Sequence, residues 1–206
     1  MEPLVLRGPT VTLRPLSDAD AAALAVAASD SRDQYEYTRV PDGVEDARRY
    51  IDVMLADREG GRRLPFVIVW HDRVVGSTSY LDLQRWRWPA GSPLQRADHP
   101  DAVEIGSTWL AASAQRTRCN TEAKHLLLSH AFDVWRVHRV SFKTDERNAK
   151  SRRAIERLGA VLDGVRRADM AGQDGSVRNS AYYSIVRAEW PDVRKKLEDA
   201  LGATPG

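Results

Sequence analysis

Trp109-Leu110-Ala111-Ala112-Ser113-Ala114-Gln115-Arg116-Thr117-Arg118-Cys119-Asn120-Thr121-Glu122-Ala123-Lys124 joins three pieces of one architecture. The apolar run that ends in it, Val103 to Leu110, has strand character, the middle is a short basic loop, and an amphipathic helix opens at Thr121. A helix start leaves its first backbone N–H groups unpaired and carries partial positive charge. Directly after a strand, with Arg116 and Arg118 beside it, this junction is a seat for a phosphate or pyrophosphate. The first expectation is therefore an anionic cofactor held where a strand hands over to a helix.

Downstream of the junction, Ala123, Leu127, Ala131 and Val134 form one helical stripe, widened by Leu128, Phe132 and Trp135, so the helix is expected over Thr121–Trp135. Val140–Thr144 reads as a strand, and Asn148-Ala149-Lys150-Ser151 begins a short helix that Gly159 stops. Strands follow at Val161–Met170 and Asn179–Val186 around the turn Gly172–Gly175, then a terminal helix from Trp190 to Leu201. Upstream, Val5–Leu16 reads as a strand interrupted at its start by Gly8-Pro9, and Ser17–Asp20 is a helix-start signal before the run Ala21–Ala28. Val44–Arg58 has helical spacing, with Ala47, Ile51, Met54 and Leu55 on one face. Leu64–Trp70 and Val74–Leu81 form a hairpin about His71-Asp72-Arg73. Arg85–Asp101, which holds Trp86, Trp88 and three prolines, has no sustained period and reads as a long loop of the kind that often carries function. The alternation of strands and helices predicts a mixed sheet with helices on both faces.

Composition narrows the classes. A chain of 206 residues with 42% hydrophobic and 29% charged residues is an ordinary globular composition, and one domain is the default. A net charge of +2, with acids and bases interleaved, supplies no global field for nucleic acid or an anionic membrane, and no basic stripe with interleaved aromatics appears. Neither a leader (Met1-Glu2-Pro3-Leu4 lacks a basic start and an apolar run) nor a membrane-length apolar stretch is visible. The single cysteine, Cys119, leaves no internal disulfide and fits a reducing, cytoplasmic setting. His125 and His130 are five apart and His71, His99 and His138 are isolated, so no metal is expected.

Four segments, in this order and spacing, resemble the GNAT superfamily of acetyl-CoA-dependent N-acetyltransferases, and more closely its ribosomal-protein N-terminal acetyltransferase branch, the RimJ/RimL type. They are Leu6–Leu16, then Glu104–Leu110 with Gln115–Lys124, then Lys143–Ala160, then Tyr182–Ile185 with Glu189-Trp190. The resemblance covers nearly the whole chain. It implies a mixed α/β (α+β) fold in a single domain over residues 1–206, core about 5–190, with a C-terminal helix and tail over 191–206. The central sheet is expected to be mixed and splayed, with about seven strands and helices on both faces. It further implies acetyl-CoA as donor and an amine acceptor, the chain being a monomer or homodimer. The family's phosphate loop reads Gln/Arg-x-x-Gly-x-Gly/Ala. Gln115 takes its first position here, but Arg118 and Asn120 stand where two small residues are usual. Glycine there lets the backbone approach the pyrophosphate closely. Arg118 either obstructs that approach or supplies a charged contact to phosphate.

By the same resemblance, the cofactor arm lies against the strand end Trp109-Leu110-Ala111, where the Leu110 N–H polarises the acyl carbonyl, and the pyrophosphate rests on Arg116, Thr117, Arg118, Cys119, Asn120 and Thr121. Glu104, a carboxylate inside an apolar strand, is the candidate general base, and a glutamate held by an arginine is the equal alternative. Asn148 and Ser151 match Asn-x-x-Ser: Asn148 to hold the arm, Ser151 to protonate the departing thiolate, with helix capping as the plainer role of both. Of Tyr182 and Tyr183, only one can face the site by alternation, and Tyr183 is a candidate acid against core packing for either. Trp86 and Trp88 are acceptor-side candidates, or simply a loop packing its own indoles. Cys119, at a helix start where a thiol's pKa falls, is expected to be a bystander, since this superfamily works by direct attack. The acceptor expected from the branch is a protein α-amine or lysine side chain. A small-molecule amine, and a CoA-binding regulatory module without turnover, are the alternatives.

Overall fold

Gly8-Pro9 does more than interrupt the first apolar run. The chain turns there, so Leu6–Arg7 (β1) folds back on Val11–Pro15 (β2), Leu6 opposite Leu13, and one expected strand becomes a hairpin. That extra strand brings the sheet to eight where about seven were expected. The computed structural model describes residues 4–96 and 98–202; the expected tail beyond Gly202, the start Met1–Pro3 and loop residue Ala97 lie outside the described residues.

A tight turn at Asp18–Asp20 leads into Ala21–Ala28 (α1), and Gly43–Glu59 (α2) follows. In α2, Ala47, Ile51 and Met54 are buried as the spacing predicts, and Tyr50 joins them. Arg63–Trp70 (β3) and Arg73–Gln84 (β4) pair as the expected hairpin, and Ala102–Leu110 (β5) continues the sheet antiparallel to β4. Cys119–Ser129 (α3) then runs into a π-helical turn, His130–Val134. That wider turn rotates the register outward, which is why Val134, expected on the buried stripe, is 53% exposed. Arg139–Asp145 (β6), Ala149–Leu158 (α4), Val161–Ala171 (β7), Val177–Val186 (β8) and Trp190–Gly202 (α5) complete the chain. Among the described residues no helix is long and apolar enough to cross a membrane.

The strand order is β1-β2-β3-β4-β5-β6-β8-β7, and only the β5–β6 pairing is parallel within it. The chain passes from β5 to β6 through α3 and from β6 to β7 through α4. α5 packs against both, while α1 and α2 pack on each other over β3 and β4. The core lies in two layers around the sheet, with Tyr80, Phe66, Leu127 and Phe132 buried among others.

One break in the sheet positions everything that follows. β6 pairs with β5 only at Ala102, Val103 and Glu104, whereas β4 follows β5 to Gly76 opposite Leu110. From Ile105 onward one edge of β5 faces a gap. A bulge lies in the same stretch: Ser77 pairs with Trp109 and Ser79 with Gly106, so Thr78 alone opposes Ser107 and Thr108, and Ser107 sits at φ +49°.

Candidate active site

The β5 bank of the gap is fixed by backbone contacts. Ala111 N–H donates to the Val75 carbonyl at 2.7 Å, so by strand alternation the polar groups of Leu110 point away from β4, into the gap. The Leu110 carbonyl accepts from Tyr35 Oη and from Gln115 Nε2, both at 2.9 Å. Its N–H has no acceptor among the described residues. Gly76 permits this arrangement, because a Cβ there would lie 2.1 Å from the Trp109 carbonyl oxygen.

Beyond β5 the chain forms a row of donors. Arg116 takes the left-handed conformation (φ +59°), and Thr117 Oγ1 donates to the Ala114 carbonyl at 2.7 Å while accepting the Cys119 N–H at 3.1 Å. The Glu122 N–H goes to the Arg118 carbonyl at 2.9 Å. Among the described residues the N–H groups of Arg116, Thr117, Arg118, Asn120 and Thr121 find no acceptor. Alternating left- and right-handed backbone with converging N–H groups at a helix start is an anion-binding concavity. The donor set fits a pyrophosphate: backbone N–H groups, the exposed Arg116, and no acidic side chain between Gln115 and Thr121.

Arg118 answers the question raised by its sequence. Its guanidinium turns away from the seat and donates from Nη1 to the Leu201 carbonyl at 3.0 Å, at the C-terminal end of α5. That bond ties the loop to α5, whose C-terminal carbonyls attract positive charge. Cys119 corrects two expectations: its N–H, expected under the pyrophosphate, is held by Thr117 Oγ1, and its thiol is not one of lowered pKa. It is fully buried, and loss of water, helped by the Glu122 carboxylate, pushes its thiol up to about 12 rather than down. The neutral thiol packs in the core and is no nucleophile.

On the opposite bank, α4 begins where β6 ends. Asn148 is its N-cap, Oδ1 accepting the Ser151 N–H at 2.9 Å, so the capping role is realised. Ser151 is half-buried and its hydroxyl makes no hydrogen bond among the described residues. Lys150 Nζ reaches Gln115 Oε1 at 2.5 Å, and Gln115 in turn holds Leu110, so one side chain links α4 to β5 across the end of the gap.

Glu104 is the last residue of β5 to pair with β6, at the apex of the gap. Burial raises its pKa; Lys143 opposes that, Asp82 adds to it, and Arg178 and Arg63 lower it more weakly. Among the described residues no arginine lies within ion-pair distance of it; Arg178 and Arg63 act on it only from farther off. Lys143 pairs with Tyr182 and Phe142 with Tyr183 in the β6–β8 register, which puts the two tyrosines on opposite faces. Tyr182 shares the face of Lys143 and donates to Asp169 at 3.0 Å. Tyr183 is fully buried under α4, donating to Glu156 Oε1 at 2.9 Å and accepting from Arg152 Nε at 2.9 Å. The candidate acid Tyr183 is therefore a packing residue on the face away from Glu104.

Trp86 and Trp88 also resolve toward packing. Both indoles lie against His138, at ring-centroid distances of 5.5 and 5.6 Å, and Asp101 accepts from the Trp86 N–H at 2.7 Å and from Trp88 Nε1 at 3.0 Å. They cover the closed end of the β5–β6 pair, with Trp86 still 37% exposed.

Sequence reasoning missed Tyr35, Lys143 and Lys124. Tyr35 sits 75 positions from the carbonyl it holds, with no local signal. Lys143 lay inside a quoted segment, and strand alternation from Glu104's neighbour Ser141 was the available clue. Lys124 is buried on α3 with its amine on Thr108 Oγ1 at 2.6 Å and, among the described residues, no carboxylate within ion-pair distance, and desolvation lowers its pKa to about 7.

Comparison with known proteins gives the chain a family and a shared fold. A sequence profile of the Acetyltransferase (GNAT) domain matches residues 10–161. The Bacillus subtilis (strain 168) protein provisionally named ribosomal N-acetyltransferase YdaF is 32% identical over 88 residues, 43% of this chain and 47% of that protein. The match thus spans about half the length of this curated relative. A crystal structure from T. thermophilus, provisionally described as an acetyltransferase, is similar with TM-score 0.79 and 32% identity over 98% of both chains. Mycobacterium smegmatis RimJ, solved in complex with CoA-disulfide, shares the fold with TM-score 0.75 at 23% identity, over 96% of this chain and 93% of that one.

Proposed function

The chain belongs to the GNAT acetyltransferase family, and from that premise we propose that it moves an acetyl group from acetyl-CoA to a primary amine by direct attack, the acceptor being a protein N-terminal α-amine or a lysine side chain. The observation that carries this reading is the row of unpaired N–H groups at Arg116, Thr117, Arg118, Asn120 and Thr121, opening beside the unpaired edge of β5. When bound, acetyl-CoA supplies an acyl carbon already activated as a thioester.

The residues of the chain divide the remaining work. The N–H row and Arg116 hold the pyrophosphate. The gap-facing Leu110 N–H is placed to polarise the acyl carbonyl, a preorganised donor worth about 3 kcal/mol where such groups have been removed. Asn148, its Oδ1 committed to the helix cap, still offers its Nδ2 to the cofactor arm. Glu104, at the apex of the gap, takes the proton that the incoming ammonium must lose, directly or through a water; a raised pKa brings it closer to the optimum for a base near neutrality. Ser151 Oγ, half-buried on α4 and uncommitted, gives a proton to the departing sulfur. Holding both reactants in line contributes up to roughly 7–11 kcal/mol for well-oriented groups.

The name of the B. subtilis relative supports a protein acceptor. A panel of free amines and peptides incubated with acetyl-CoA, with products read by mass spectrometry, tests the proposal. Acetylated peptide is expected; acetylation of small amines alone would move the acceptor to that class, and CoA binding without thiol release would leave a binding module.

A further inference from the structure

Glu104 and Gly106 lie two positions apart on β5, on the same face of the sheet, and β6 parts from β5 between them. Leu81 of β4 pairs with Glu104, and Ser79 with Gly106. At Gly106 the strand carries no side chain, and two neighbouring side chains end over the bare backbone. A Cβ built there would lie 2.9 Å from Glu104 Oε1 and 2.8 Å from Leu81 Cδ1. Unbonded heavy atoms settle at about 3.5–4.0 Å, so a side chain at this position would have to displace both.

The backbone does not call for glycine here. Gly106 has no positive φ, so the conformational freedom of glycine goes unused, while a glycine inside a strand weakens it. What the position supplies is room, and the Glu104 carboxylate lies in it. Residues two apart on a strand are separated by about 7 Å. Glu104 is rooted at the last position of β5 that pairs with β6, and its carboxylate lies over the next residue of that face, alongside the stretch where the β5 edge is free. The surroundings are pinned as well. Arg63 Nη1 donates to Ser79 Oγ at 3.2 Å and to Ser107 Oγ at 2.9 Å, and Arg63 Nε lies 3.3 Å from Asp57 Oδ2. One guanidinium thus ties the strand opposite Gly106 to the bulge that follows it.

We infer that Gly106 is a positioning residue for acetyl transfer: by lacking a side chain it forms the seat, closed from β4 by Leu81, that carries the Glu104 carboxylate toward the open part of the gap. This role rests on the reading of Glu104 as the base.

Gly106→Ala puts one methyl into the seat. The two atoms it meets end flexible side chains rather than belonging to backbone, so the strand stays and the carboxylate moves. With acetyl-CoA and the best acceptor from the amine and peptide panel, kcat is expected to fall about tenfold, since a misplacement of about 1 Å costs up to about a hundredfold. The KM for acetyl-CoA should hold within about twofold, because the phosphate seat and the Leu110 N–H are untouched. A double-mutant cycle separates misplacement of the base from strain in the sheet. With Glu104→Gln already in place no base is left to misplace, and adding Gly106→Ala should change kcat by less than about twofold. Glu104→Asp leaves the strand as it is but keeps a carboxylate one methylene too short for the seat, so kcat should again fall about tenfold. Unchanged kcat in Gly106→Ala or in Glu104→Asp overturns the assignment, as does an equal fall when Glu104→Gln is already present. Full kcat in Glu104→Gln instead removes Glu104 as the base, and CoA binding by the native chain without thiol release removes acetyl transfer; either takes the role of the seat with it.

Discussion

Burial moves Glu104 and Lys124 toward their neutral forms, and each shift has a measurable sign. A base works only when deprotonated, so kcat/KM is expected to rise with pH through a value above the ordinary glutamate range, set first by desolvation. Glu104→Gln should remove that rise and cost roughly a hundredfold in kcat, with little change in CoA affinity; an unaltered profile would exclude Glu104 as the base. For Lys124 the folded state holds a pKa of about 7 against an ordinary 10.5, so the unfolded chain binds the proton more tightly. Folding stability should therefore rise with pH between those values and lose that contribution as pH falls through about 7. Lys124→Met should add on the order of a few kcal/mol near neutrality and flatten this dependence, which urea titrations at pH 6 and about pH 9 would show. Arg118 differs in kind. Arg118→Ala removes one hydrogen bond to the end of α5, for about 1 kcal/mol of stability, and should change the Kd for CoA by less than about threefold. A large loss of affinity would place the guanidinium on the phosphate after all.

At the level of elements, the sequence was most legible where a single period or punctuation mark governed the outcome. The expected strand Val103–Leu110 agrees with β5 to within one residue, because turn residues bound an apolar run there. The helix after it has its expected extent to within two residues at each end, but its last turn is π-helical, which keeps Phe132 and Trp135 buried while rotating Val134 out, and no simple period distinguishes the two windings. The site was legible at its loop and obscure at its contacts. Backbone N–H groups at a helix start follow from chain direction alone. The partner of Arg118 lies 83 residues away, and the burial that raises the Cys119 thiol depends on packing from distant segments. The tyrosine pair needed the β6–β8 register before its faces could be told apart. The gap itself depends on Gly76. Gly76→Ala would drive a methyl into the Trp109 carbonyl, and a loss of about 3 kcal/mol or more, with raised KM for acetyl-CoA, is expected by denaturation and steady-state kinetics. Replacing both Trp86 and Trp88 by alanine should lower stability through lost packing on His138 while leaving the KM for acetyl-CoA unchanged.

Across the whole molecule, one topological event makes a site from otherwise ordinary layers. β5 and β6 start as parallel neighbours and part after Glu104, and the crossover helix α3 brings its N-terminus to the open end of the strand it leaves. The buried carboxylate of Glu104 at the apex, the gap-facing Leu110 N–H along the edge, the row of unpaired N–H groups at the mouth and the Ser151 hydroxyl opposite, to which the roles proposed above are given, follow from that single divergence. α5 completes the arrangement from outside, with Trp190 stacked on Phe132 at 5.2 Å and its C-terminal end tied to Arg118. The likeness to T. thermophilus and M. smegmatis acetyltransferase structures over nearly the full chain fits a scaffold that is kept while acceptor-facing side chains vary.

The most direct measurement is amide-resolved NMR of the protein titrated with CoA. The amides of Arg116, Thr117, Arg118, Asn120, Thr121 and Leu110 should shift together with a single saturating affinity, while those of Trp86 and Trp88 stay in place. Saturation that leaves the loop amides unmoved, or no response to CoA anywhere in the spectrum, would contradict the account.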